Sequence, residues 1–179
     1  MQVQGPTIQT ERLLLRVPCL DDLEPYAAFL ADPEAARFLG GPLSLQLVWR
    51  NLASIIGSWA LHGFGMLTFI ERSSGRWVGR GGPWSPPEWP GTEVGWAIAP
   101  EFQQRGFGTE AARACIDWAF DHLGWTQVVH CIDPANTASI ALAQRLGSSV
   151  LRRGVEAPLP ISDHWDIYGQ SREAWFRAK

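Results

Sequence analysis

An α/β or α+β fold with a mixed, mostly antiparallel sheet follows from three features of the chain. A β-hairpin pattern occupies its first half, strands and helices alternate in its second half, and a glycine-containing loop joins the two by leading a strand into an amphipathic helix. Taken in order, residues 10–17 (Thr-Glu-Arg-Leu-Leu-Leu-Arg-Val) predict a first strand, closed by Pro18. Asp21 and Asp22 then open a helix, with acidic residues in its first turn, that ends near Asp32-Pro33. A second helix is predicted over 44–62, where apolar residues at 45, 48, 49, 52, 55, 56 and 59 recur at spacings of three and four, and Gly63 stops it. Residues 66–71 and 77–80 are β-type runs separated by Ser-Ser-Gly, the pattern of an antiparallel hairpin.

A Pro-rich loop spans 83–92, and residues 93–98 (Glu-Val-Gly-Trp-Ala-Ile) form the fourth predicted strand. Gly95 within it suggests a bulge, and Pro100 ends it. After the glycine loop, Ala112, Cys115, Ile116, Ala119, Phe120 and Leu123 give a helical stripe ending at Gly124. Residues 127–132 form the fifth strand, and Asp133-Pro134-Ala135-Asn136 turns it into a helix over 137–146 with Gly147 beyond its end. A last strand over 166–169 and a short helix from Ser171 complete one domain over 1–179.

Composition narrows the function. The net charge is −3 with pI near 5.8, and Lys and Arg are scattered, which disfavours nucleic acid. The three cysteines have neither disulfide-framework nor metal-ligand spacing, so a reducing cytoplasmic setting and no metal are expected. The stretch Met1 to Pro6 lacks the layout of a targeting segment, and no run approaches the roughly 18 apolar residues of a membrane span. Ten Trp residues are an unusual number, and Trp84, Trp89 and Trp96 are candidates to shape a pocket.

The glycine loop, Gln103-Gln104-Arg105-Gly106-Phe107-Gly108-Thr109, carries the functional signal. Gly106 and Gly108 permit close approach of a ligand to the backbone, and the following helix points its positive dipole end at the same place, so a pyrophosphate is a natural guest. Gly106-x-Gly108-x-x-Ala111 also satisfies a dinucleotide fingerprint, with Asp133 as a ribose partner, but residues 100–105 intervene between strand and glycines and antiparallel strands come first. No Gly-Lys-Ser or Gly-Lys-Thr follows, so this is not a P-loop.

With the arch Gln103-x-x-Gly106-x-Gly108 in place, the chain resembles the GCN5-related N-acetyltransferases, whose signature is Q/R-x-x-G-x-G/A, and within them the ribosomal-protein alanine N-acetyltransferase branch. The resemblance extends over residues 10–16, 93–96, 106–111, 133–139 and 168–169. It implies a sheet splayed between the fourth and fifth strands, with acetyl-CoA wedged in the opening. It implies further that the backbone of Trp96, Ala97 and Ile98 binds pantetheine and polarises the thioester. Gln103, Gln104, Arg105, Gly106, Gly108 and Thr109 would hold the pyrophosphate. Asn136 would contact the cofactor arm, and Ser139 would lie near the sulfur as a candidate acid. Many relatives place a tyrosine one turn beyond that serine, where this chain has Ala143, and the aromatic residue common after Gly147 is replaced by Ser148.

The implied reaction is direct attack by an amine on acetyl-CoA. Glu93, at the start of the fourth strand, is the candidate general base, and His130 the alternative. The acceptor is a small-molecule amine or a protein N-terminus, with no nucleic acid or membrane partner, and a homodimer stays open. A non-catalytic acyl-CoA sensor or peptide-binding module is the competing reading.

Overall fold

In the computed structural model, which describes residues 3–157 and 162–178, eight strands form one sheet. Met1 and Gln2, part of the N-terminal stretch considered above, lie outside the described residues. The first predicted strand is a hairpin instead, β1 (Thr7–Gln9) and β2 (Leu13–Arg16), with Ile8 opposite Leu15. Thr10 closes the turn: its amide donates to the Leu13 carbonyl at 2.9 Å and its hydroxyl accepts from the Leu13 amide at 2.9 Å.

Helix α1 (Leu23–Ala31) follows, and Asp32-Pro33 both ends it and starts a one-turn helix α2 (Pro33–Ala36), with the Asp32 carboxylate accepting from the Glu34 and Ala35 amides. Helix α3 (Leu45–His62) ends at Gly63 in the left-handed region (φ 72°), as its sequence predicts. The hairpin β3 (Leu67–Glu71) and β4 (Trp77–Trp84) is longer than predicted, because Pro83 and Trp84 belong to the strand. Pro83 is tolerated there because it lies beyond the end of β3, whose first residue Leu67 pairs with Gly81.

Strand β5 (Glu93–Ile98) pairs with β4 without interruption from Gly79↔Ile98 to Trp84↔Glu93. The bulge expected at Gly95 is therefore absent; the shift in register lies between β3 and β4, at Phe69/Ile70. Then come α4 (Phe107–His122), β6 (Gln127–Ile132), α5 (Thr137–Arg145), β7 (Ser149–Glu156), β8 (His164–Ser171) and α6 (Arg172–Arg177). The strand order is β1-β2-β3-β4-β5-β6-β8-β7, with β5 and β6 parallel and every other pair antiparallel. Strand β7 was not foreseen. It is an edge strand, largely exposed and twice shifted in register, so no alternating apolar pattern marks it.

Of the stripe predicted for α4, Ala112, Cys115, Ile116, Ala119 and Phe120 are buried, joined by Ala111, while Leu123 at its end is only partly buried; the helix packs against β2, β4 and β5. Ile98 faces α4, where Gly108 sits against its side chain. Its neighbour Ala97, on the other face, pairs with Arg80, whose guanidinium lies over Tyr26 of α1. Helices α1 and α3 thus cover the face opposite α4. Among the described residues no helix is long and apolar enough to cross a membrane.

Close approach of β4 to β5 depends on Gly81, whose Cβ position lies 2.3 Å from the Gly95 carbonyl oxygen. Gly81→Ala must push the two strands apart, and a loss of about 1–3 kcal/mol is expected, read as a lowered Tm in thermal unfolding.

Candidate active site

The site is built where the sheet opens. Strands β5 and β6 are registered at only one point, Glu93↔Val129, where the Val129 amide donates to the Thr92 carbonyl at 3.0 Å. In an evenly spaced parallel ladder the next bond would run from the Cys131 amide to the Val94 carbonyl. Both partners turn to side chains instead. The Cys131 amide donates to Glu93 Oε1 at 3.0 Å, and the Val94 carbonyl meets His130 Nδ1 at 2.7 Å. From there the strands diverge. Alternation along β5 turns the backbone groups of Trp96 and Ile98 into the opening, whereas those of Ala97 belong to the ladder with β4.

Glu93 is buried, and its second oxygen accepts from the Trp89 indole N–H at 2.6 Å. Desolvation raises its pKa to about 7, against the opposing hydrogen bonds from Cys131 and Trp89 and the charge of Arg80. Trp89 in turn packs on Trp165, with centroids 5.1 Å apart, closing this side of the carboxylate.

His130 is sealed on both nitrogens. Nε2 lies 3.0 Å from the Ser148 hydroxyl, which itself accepts from Gln170 Nε2. The assignment that satisfies every group is neutral imidazole, with Nδ1–H donating to Val94 and Nε2 accepting from Ser148. Burial lowers its pKa to about 4 despite the Val94 bond. This histidine is a packed strut, and its ring stands against Trp96 at 4.7 Å. Of the three tryptophans expected to shape a pocket, Trp89 turns to Glu93, Trp96 stands against His130, and Trp84 ends β4 in register with Glu93.

At the opposite end of β5 the loop Gln103–Gly106 is exposed. Gln104 (φ 58°) and Gly106 (φ 82°) are left-handed, a shape that turns the loop into the first turn of α4. The amides of Phe107, Gly108 and Thr109 have no intrahelical partner, which leaves them as donors beside the positive end of the helix dipole. Gly108 itself is buried, and its Cβ position lies 2.8 Å from Leu142 Cδ1, so any side chain there would have to displace the end of Leu142 where α4 meets α5. Gln103 turns its side chain back, Nε2 donating to the Ile98 carbonyl at 3.0 Å. Arg105 is ion-paired to Glu71 at 3.0 Å and lies over Phe107.

A clamp not anticipated from spacing fixes this loop. Glu110 in the first turn of α4 accepts from the Thr10 hydroxyl (2.5 Å), the Arg12 amide (2.8 Å) and Arg12 Nε (2.7 Å). Arg12 Nη1 then donates to the Arg105 carbonyl at 2.9 Å. Burial opposes ionisation of Glu110, but the Thr10 and Arg12 bonds and the Arg12 charge outweigh it and lower its pKa. Glu110 is thereby held ionised, with its charge compensated by the Arg12 guanidinium that tethers it.

Asn136 caps α5, its side-chain oxygen accepting from the Ser139 amide at 3.1 Å. The Ser139 hydroxyl accepts from the Trp96 indole at 3.3 Å, a bond that spans the opening from β5 to α5. Ala143, one turn further, is fully buried with Ile132 and Tyr168 around it. Among the described residues no group of three or more His, Cys, Asp or Glu side chains could hold a metal ion.

The acetyltransferase (GNAT) domain family matches residues 12–149. A crystal structure of an acetyltransferase from Agrobacterium tumefaciens str. C58 is 30% identical, covers 94% of this chain and 96% of its own, and superposes with a TM-score of 0.82. An uncharacterised N-acetyltransferase, p20 of Bacillus licheniformis, is 27% identical over 143 residues, 78% of this chain and 80% of that protein. RimL, the ribosomal L7/L12 α-N-protein acetyltransferase in complex with coenzyme A, is 15% identical and shares the fold, with a TM-score of 0.73 over 92% of this chain and 97% of its own. An open ladder between two parallel strands, a left-handed glycine loop at the head of a helix and a family match over most of the chain lead to one assignment: this protein belongs to the GNAT acetyltransferases.

Proposed function

We propose that the chain transfers the acetyl group of acetyl-CoA to the primary amine of an acceptor by direct attack within a ternary complex. The observation that carries this reading is the interrupted β5–β6 ladder, which leaves the backbone of Trp96 and Ile98 facing an opening that leads to the glycine loop. Those groups would pair with the pantetheine arm and polarise the thioester carbonyl. The first-turn amides of α4, with Gln104, Arg105, Gly106 and Thr109 around them, would receive the pyrophosphate. Asn136 and Ser139 would flank the arm at the start of α5.

The amine nitrogen attacks the carbonyl carbon, the C–N bond forms, the C–S bond breaks, and coenzyme A leaves as its thiolate. Glu93 takes the amine proton. Its pKa of about 7 suits a base working near neutrality, and because Trp89 and Cys131 occupy both oxygens the proton travels through a water. Ser139 accepts from Trp96, so its own O–H is free to hydrogen-bond the departing thiolate and to pass it a proton that solvent replaces on Ser139.

Glu93→Gln removes the titratable group and keeps the bond from the Cys131 amide to the side-chain oxygen, but it sets its NH2 against the Trp89 indole N–H, so the pH profile is the readout that isolates the chemistry. Its kcat/KM should fall by about 100-fold or more, and the limb near pH 7 should vanish from the rate profile; an unaltered profile removes the base role. The same variant tests burial. A carboxyl raised from 4.5 to about 7 adds stability in full below pH 4.5, and that stability is lost as pH rises through 7. Wild type should therefore lose about 3 kcal/mol relative to Glu93→Gln across that window, measured by denaturant unfolding.

Ser139→Ala should lower kcat by about tenfold with acetyl-CoA affinity unchanged, since a thiolate departs with little help; wild-type turnover removes the acid role. Acetyl-CoA binding without transfer to any member of an amine panel favours the acyl-CoA sensor.

A further inference from the structure

The sheet face that carries Glu93 also carries a cation without a counter-ion. Arg80 of β4 stands opposite Ala97 of β5, and Ala97 is four residues from Glu93, so the three side chains leave the same face. Among the described residues no carboxylate lies within ion-pairing distance of the Arg80 guanidinium; other arginines share this, but Arg80 combines it with a buried Nε that has no hydrogen-bond partner. Arg80 rests over the Tyr26 ring at 5.2 Å with Nη1 against the Met66 thioether, and its Nε is buried without a hydrogen-bond partner. Neither contact neutralises the charge.

Local acids do not supply what is missing. Asp22, which lines a small cavity with Arg80, is taken by both Nη atoms of Arg16, the Cys19 amide and the Thr68 hydroxyl. That cavity, about 10 Å³, is too small for an organic ligand, and on its other side Arg80 adjoins β5. There the Arg80 charge already acts on the Glu93 carboxylate. A second cation, Arg152, holds the Pro90 carbonyl at 2.6 Å with no carboxylate in ion-pairing distance among the described residues, and its charge acts on Cys131. Around Glu93 the acceptor side thus carries excess positive charge, the more so while burial keeps Glu93 partly protonated.

Half-buried, with Nη1 on Met66 and an Nε that no group among the described residues satisfies, the Arg80 guanidinium keeps hydrogen-bonding capacity and charge that suit a carboxylate. We infer that the acceptor is an amino-acid-sized molecule bearing a carboxylate as well as its amine, and that Arg80 holds the carboxylate while the amine is presented to Glu93. The inference rests on the transferase reading above. Four residues of strand set Glu93 and Ala97 about 13 Å apart, and two long side chains reaching toward each other shorten that span to the size of such a molecule. Arg80 then selects the acceptor and plays no part in the bond changes.

The test is acetyl transfer to the twenty amino acids, their primary amides and their decarboxylated amines, in wild type, Arg80→Met and Arg80→Lys. Wild type should show a KM for the preferred acid at least tenfold below that for its amide. Arg80→Met should raise the KM for the acid tenfold or more and leave that for the amide within twofold, and Arg80→Lys should recover part of the loss. Equal KM values for acid and amide in wild type would overturn the assignment. So would a fall in kcat shared by acids and amides in Arg80→Met, which places Arg80 in the service of Glu93. If Arg80→Met fails to fold, the wild-type acid-to-amide ratio and Arg80→Lys decide. Calorimetric titration of coenzyme A-loaded protein with the same acids and amides separates the two readings. Acid binding that depends on Arg80, without turnover, keeps the anchor and removes the transferase; turnover indifferent to Arg80 does the reverse.

Discussion

One missing backbone hydrogen bond organises this molecule. A sheet that ran unbroken from β5 to β6 would have no entrance, and a sheet that merely parted there would leave a buried amide and a buried carbonyl without partners, each at a penalty of about 1–3 kcal/mol. Glu93 and His130 resolve this by capping the two halves of the absent bond, Glu93 at the Cys131 amide and His130 at the Val94 carbonyl. The opening is thus part of the folded core, held by side chains that are themselves fixed: Glu93 by Trp89, His130 by Ser148 and Gln170 behind it.

Everything at the mouth of the opening is anchored to elements distant in sequence. The glycine loop is shaped by left-handed residues of its own and then held by Arg12 and Glu110 from outside. The head of α5 is tied to β5 through Trp96 and Ser139. The positions proposed to contact the co-substrate are therefore held by long-range contacts, which suits a reaction that depends on bringing two reactants into register.

The parts of this arrangement that local chemistry dictates were readable in the chain. Gly106 must be left-handed at the entry to α4, and the stripe from Ala112 to Phe120 has one face only, so loop and helix followed from residue type and spacing. Strands β5 and β6 were placed to the residue by their β-branched and aromatic content. What escaped was long-range or unpatterned. Thr10-Glu11-Arg12 contains neither Gly nor Pro, so a hairpin turn read as continuous strand. Strand β7 is polar and irregular because it lies at the edge of the sheet. Gly95 looked like a bulge, but it pairs with Gly82 in an unbroken β4–β5 ladder. The capping roles of Glu93 and His130, and the isolation of Arg80, depend on partners tens of residues away and have no local signature.

The clamp between the N-terminal hairpin and α4 also bears on the order in which the molecule forms. Thr10 and Glu110 are 100 residues apart, so the contact closes one of the longest loops in the chain, and closure entropy makes such contacts late events in folding. Helix α4 and its glycines can form locally, with the dipole in place, long before Arg12 arrives to hold the Arg105 carbonyl. The glycine loop thus reaches its final shape only when the hairpin has docked, and under the proposed function competence to hold the cofactor would report that the N-terminal half has folded correctly.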